Sequence, residues 1–172
     1  MLKPMLALAA LVALAAPASA ETVLILAGHV ITDASKPMRG PSTITVTDGR
    51  ITAIIDGLAR AGPGTRVIDL SAKTVLPGLI DVHVHLTGDP GGDFRNEAVD
   101  STESTVVTGA KNARITALAG FTTVRDLGSA PLAGFALRDG TAKGFIPGPR
   151  ILSAGSAISI IGGHGDVSGF RP

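Results

Sequence analysis

The sequence of 172 residues predicts an α/β chain, a small sheet of short strands followed by strands that alternate with helices. Three observations predict it. The first half repeats short β-branched runs cut by turn residues, and the second half interleaves apolar runs of strand length with helical patterns. The 22 Gly and 11 Pro supply the tight turns that many short elements need. A content of 45% hydrophobic and 17% charged residues belongs to a chain that buries a core, and it excludes a disordered tail or a solvated coiled rod.

Residues 1–20 read as a secretory signal outside the fold. Lys3 supplies the positive start, Met5 to Ala16 the apolar run, and Ala18-Ser19-Ala20 the small residues of a cleavage site that would free Glu21. The expected location is therefore periplasmic or secreted, an uncleaved N-terminal anchor being the other reading. No later apolar run reaches about 18 residues, so no stable membrane insertion is expected after cleavage.

Residues 21–76 form a sheet segment. Strands are expected at Thr22–Leu26, Val30–Thr32, Thr43–Thr47, Ile51–Ile55 and Arg66–Leu70, with a break at Lys36-Pro37-Met38-Arg39-Gly40-Pro41. Asp48-Gly49 between two alternating runs signals a hairpin, because its turn needs positive φ and glycine accepts that without strain. Taken alone, the segment reads as a small antiparallel sheet.

At Pro77-Gly78 the pattern changes, and residues 77–172 read as β/α units. Leu79–His85 is mostly apolar, as expected of a strand buried on both faces of a parallel sheet. Glu97–Ala119 reads as a helix, with Val99, Val106, Ala110, Ala113 and Ala117 near helical spacing and Gly120 placed to end it. Phe121–Asp126 is a second strand. Pro131 to about Lys143 is a second helix opened by proline, with Gly134 and Gly140 against it. Arg150–Ala154 is a third strand, and a Gly-rich loop follows to Pro172. Such steps imply a parallel sheet with right-handed crossovers.

Composition removes several functions. The 15 basic and 14 acidic side chains nearly cancel, no basic run is present, and the aromatics are five Phe, so a nucleic-acid partner is not expected. With no cysteine, disulfides, thiolate zinc sites and a Cys nucleophile are excluded. Ser153, Ser156 and Ser159 lack the elbow of a serine hydrolase. The Gly-Gly-x-Gly pattern at residues 162–165 lacks the helix and the Lys-Ser/Thr of a phosphate cradle.

The chemistry concentrates at Asp81-Val82-His83-Val84-His85. Side chains two apart on a strand leave the same face, so two imidazoles at its C-terminal end can meet one divalent ion. Asp81 shares their parity, and would either fix an imidazole tautomer or pair with a neighbouring strand. Two hydrogen-bonded structural histidines are the plainer alternative. Arg125 and Asp126 either line the same end or form a structural ion pair, the second being favoured. His29 reads as a sheet residue near a turn.

The run from Lys73 to Leu86 closely resembles the signature of the amidohydrolase superfamily. Thr43 to Ile55 around Asp48-Gly49-Arg50, the run from Phe121 to Gly128, Gly148-Pro149-Arg150 and Gly162-Gly163-His164-Gly165-Asp166 agree in order and spacing. They look most like the branch with imidazolonepropionase-like and Xaa-Pro dipeptidase-like members. The resemblance implies a small β-sandwich followed by the first β/α units of an incomplete TIM-like (β/α)8 barrel, about three of its eight steps. It implies His83 and His85 as ligands of a divalent metal, usually zinc, in a site of one or two ions, and His164 as a substrate contact. The family's carboxylated Lys, further His and proton-shuttling Asp come from later strands that these residues do not contain, so no catalytic residue is assigned. The implied activity is hydrolysis of a C–N bond in a small molecule or dipeptide through metal-activated water; the alternative is a catalytically incompetent fragment or binding remnant. An open barrel edge leads to an expected oligomer.

Overall fold

The computed structural model describes residues 21–92, 99–163 and 165, and the expected signal at residues 1–20 lies outside them. The chain divides into two units, Met1–Leu76 and Pro77–Pro172. Among the described residues, no helix is long and apolar enough to cross a membrane.

The first unit is a four-stranded sheet of β1 (Thr22–Val30), β2 (Ser42–Thr47), β3 (Arg50–Asp56) and β4 (Arg66–Val75), in the order β3-β2-β1-β4. The hairpin stands where Asp48-Gly49 requires it, with φ of 49° and 73° at its two turn residues. The expected antiparallel sheet is corrected at β4, which pairs with β1 in parallel. One edge of β1 is taken by β2, and β3 lies beyond it. Residues 57–65 therefore carry the chain to the free edge of β1. Alternation along a strand specifies which face is buried and is silent about the partner's direction, so this crossover leaves no local trace.

The separate strand expected at Val30–Thr32 is also corrected, since β1 continues to Val30 and stops there. The register between β1 and β4 shifts between Ala27 and His29. Gly28, inside that shift, lies so close to the Ser71 carbonyl that a Cβ would overlap it. His29 is an exposed position of β1 opposite Thr74. Ala27, Val30 and Ile44 are buried, with Ile25, Val46, Ile54 and Val75 packed around them.

The second unit has three parallel strands, β5 (Leu79–Val84), β6 (Phe121–Asp126) and β7 (Arg150–Ser153), in sequence order. Helix α1 (Thr102–Leu118) joins the first two, and α2 (Ala133–Ala142) the last two. Both helices are shorter than expected. In α1 the Ser101 hydroxyl accepts the Ser104 N–H, setting the start there, whereas residues 97–98 lie outside the described ones. Pro131 precedes α2, because Leu132 caps that helix in the left-handed region at φ 66°. The core comprises Leu86, Ala113, Val124, Leu137 and Ile151, with Val106 and Ala110 of α1 packed on it. Gly109 lets the two helices meet: a Cβ there would overlap Leu137 Cδ1.

Candidate metal site

The site is built where the alternation of β5 breaks. Across β5 and β6, Asp81 lies opposite Val124 and Val84 opposite Asp126, three steps on one strand against two on the other. An extra residue of this kind is a bulge, and it resets which side chains share a face. Val84 packs on the core. His83 and His85, on either side of it, turn to the opposite face, where both are exposed. Their ring centroids are 5.3 Å apart, with 68° between the planes.

That spacing can be tested against a shared ion. Two imidazoles on one tetrahedral cation would have centroids about 5.2 Å apart, from a bond of about 2.1 Å and about 1.1 Å between nitrogen and ring centre. The observed rings fit. The Nδ1 atom of His85 lies 3.0 Å from the Gly128 carbonyl oxygen. A carbonyl only accepts, so this bond puts the proton on Nδ1 and leaves the Nε2 lone pair free. Metal-ligating histidines are anchored through their second nitrogen in this manner.

Asp81 acts on the main chain. Its Oδ1 accepts the His83 N–H at 3.0 Å, which holds the bulge. The bulge also separates Asp81 from the shared parity expected of it, and the His85 imidazole is oriented by Gly128 instead.

Asp126, placed at this end only by the less favoured reading of the sequence, and Gly128 support the site. Asp126 is fully buried; its Oδ2 accepts the Leu86 N–H at 3.2 Å and its Oδ1 the Gly128 N–H at 3.1 Å. One carboxylate thus ties the residue after His85 to the residue that anchors the His85 ring. Burial pushes the Asp126 carboxyl above the ordinary carboxylate range, against the pull of the Leu86 and Gly128 amides and of His85. The favoured Arg125–Asp126 ion pair does not form among the described residues, because adjacent strand residues leave opposite faces: Asp126 turns inward and Arg125 is exposed. An Asp at a strand end followed two residues later by Gly was the available signal for this local bond.

The loops on this side are braced. Asn112 of α1 donates to the carbonyls of Leu86 and Gly88, each at 2.9 Å, and Lys111 pairs with Asp89 at 2.7 Å. The loop after β7 reaches back, so that a Cβ added at Gly128 would meet Ala157 Cβ at 2.8 Å and His85 Cε1 at 3.3 Å. His164, the expected substrate contact, lies outside the described residues. Among the described residues no group of three or more His, Cys, Asp or Glu gathers as a metal cluster, so the pair stands as two donors.

Comparison with known proteins agrees with this architecture. A dihydroorotase of Trichlorobacter lovleyi is 39% identical over 87 residues, 51% of this chain and 20% of that protein. An imidazolonepropionase of Symbiobacterium thermophilum is 32% identical over 91 residues, covering 43% of this chain and 21% of that protein. The crystal structure of a Xaa-Pro dipeptidase with bound methionine in the active site superposes with a TM-score of 0.77 at 34% identity, over 84% of this chain and 36% of that one. The chain therefore spans about a fifth of the length of these curated relatives and about a third of that structure. The two units correspond to the N-terminal part of the fold of these neighbours, the first β/α units of the barrel included. Residues 74–167 match the amidohydrolase family, and the chain belongs to it.

Proposed function

We propose that His83 and His85 are the first protein ligands of a divalent-metal centre, with zinc as the ion, in an exported hydrolase of C–N bonds. The substrate class is a small amide, a dipeptide or a cyclic amide, to which water is added across the C–N bond to give an acid and an amine. The observation that carries this reading is the imidazole pair: two rings at the spacing of a shared ion, one held by the Gly128 carbonyl with its Nε2 left free. Kinship with proteins named dihydroorotase, imidazolonepropionase and Xaa-Pro dipeptidase supports the reaction class. The Lys3 start, the apolar run and Ala18-Ser19-Ala20 support export.

When bound, a divalent cation supplies Lewis acidity towards a carbonyl or a water. The chain's own residues prepare the place for it. Gly128 selects the His85 tautomer, Asp126 holds Gly128 and Leu86 in register, and Asp81 fixes the bulge that turns His83 outward. The pair lies at the C-terminal end of its strand, the end where barrels of this kind gather their sites.

The test is a zinc titration of the chain by calorimetry, repeated with His83→Ala and His85→Ala. One site in the parent, lost in both variants, is expected. Identical titrations in all three proteins would remove the metal reading.

A further inference from the structure

We propose that Asp48 is a binding site for the chain's own amine, the one that cleavage after Ala20 releases on Glu21, so that the tip of the first hairpin holds the mature N-terminus as an ion pair. The inference rests on the export reading of residues 1–20 and adds to it a site within the first unit.

The geometry is set where β1 begins. Thr22 pairs with Thr47 across β1 and β2, which brings Glu21 to Asp48 at the turn. Asp48 engages it twice: the Glu21 carbonyl accepts the Asp48 N–H at 3.1 Å, and Asp48 Oδ1 accepts the Glu21 N–H at 3.1 Å. From the other neighbour of β1, Arg66 at the start of β4 places its Nη1 3.4 Å from Glu21 Oε1. The first residues of a domain are poorly ordered unless something ties them down. Glu21 is tied from both flanking strands, and it is the residue that follows the small side chains of Ala18-Ser19-Ala20.

Cleavage changes the character of one of these bonds. While Ala20 precedes it, the Glu21 nitrogen is a neutral peptide N–H. Hydrolysis adds water across the Ala20–Glu21 bond, the hydroxyl going to the Ala20 carbonyl carbon and a proton to the Glu21 nitrogen. The proton of the new acid then passes to the amine, whose ordinary pKa is about 7.7–8.0. The 3.1 Å contact now joins an ammonium to a carboxylate, a bond roughly twice as strong as a neutral one. Both partners are exposed, so no burial cost opposes the pairing. The cations on the flanking strands are Arg66, which the Glu21 carboxylate answers, and Arg50, which opens β3 beyond the turn. Cleavage one residue earlier or later would move the charge about 3.3 Å along the strand, off the Asp48 carboxylate. Asp48 thus serves the turn through its positive φ and the terminus through its side chain.

The experiment uses the chain recovered after export, its first residue read by mass spectrometry, and the same residues released from a cleavable N-terminal fusion that leaves Glu21 first. Acetic anhydride labels the free-base form of the amine, and its rate at neutral pH is followed on the N-terminal peptide. Asp48→Asn removes the charge but keeps an acceptor and a favoured Asn-Gly turn, and Asp48→Gly keeps a Gly-Gly turn with neither. Losing the carboxylate lowers the pKa of the amine, so both variants should label about 1.5- to 5-fold faster than the parent, the span of an exposed ion pair. In urea all three should label alike, and a chain that begins at Ala20 should be indifferent to Asp48. Equal rates in the folded parent and variants, the same acceleration in the chain that begins at Ala20, or a difference that persists in urea overturns the inference. An exported chain that keeps residues 1–20, or starts elsewhere than Glu21, overturns the export reading separately, since the chain released from the fusion still reports on Asp48.

Discussion

Replacing Asp126 by Asn tests whether the site is held from behind as the geometry requires. The substitution keeps the volume but leaves one acceptor oxygen for two N–H donors, those of Leu86 and Gly128, and turns an amide NH2 towards one of them. A hydrogen bond to a charged group contributes about 1.5–3 kcal/mol, and an orphaned buried donor costs about 1–3 kcal/mol. Part of this is offset, because Asn removes the cost of burying a charge, the effect that raises the Asp126 carboxyl. The net loss is about 1–2 kcal/mol, which moves a urea midpoint down by roughly 1 M at ordinary slopes. Once Gly128 is released, its carbonyl no longer fixes the His85 tautomer. Zinc affinity should then fall by about 10- to 100-fold, the range for lost anchoring of a ligating histidine. Urea denaturation and zinc calorimetry on the same samples give both numbers. A stability loss with unchanged zinc affinity would refute the chain of contacts from Asp126 through Gly128 to His85.

Two further outcomes follow from the packing around this site. Gly109→Ala drives a methyl group into Leu137; overpacking costs about 1–3 kcal/mol against about 1 kcal/mol gained in helix propensity, so denaturation should show a modest net loss. Leu137→Ala alone should cost about 2–5 kcal/mol, and the two changes together should cost less than their sum, additivity being the result that refutes the contact. At Asp89 the Lys111 and Asn112 hydrogen bonds hold the carboxyl below its ordinary range. Its stabilisation is therefore present above the unfolded carboxylate pKa and lost as pH falls through the folded value. Lys111→Met should flatten the acid limb of a stability–pH profile below about pH 4, and an unchanged limb would remove Asp89 from the brace of this loop.

What was legible in the residues is what depends on short range. The hairpin followed from Asp48-Gly49, whose two φ values are positive, and the strand–helix alternation after Pro77 followed from the hydrophobic period. The pairing of β4 with β1 did not, because alternation encodes faces and a parallel partner 40 or so residues away is chosen by the topology of the whole sheet. The starts of both helices shifted for a related reason. Ser101 ends the extended chain by taking an amide, and Leu132 accepts a left-handed backbone that no propensity of leucine announces.

At the site, one rule succeeds and fails within four residues. Strict alternation puts Asp81 with His83 and His85, but the bulge between Asp81 and Val84 breaks that inference. The two histidines escape the error because they flank Val84, whose packing against the core fixes their own direction whatever happens upstream. On β6 the same rule, applied to adjacent residues, separates Arg125 from Asp126, and there no bulge intervenes between the paired positions Arg125–Leu152 and Asp126–Ser153. The ion pair favoured from the sequence between these two neighbours fails on these grounds. Among the described residues the two side chains part, the acid buried in the scaffold behind His85 and the base exposed on the other face of β6.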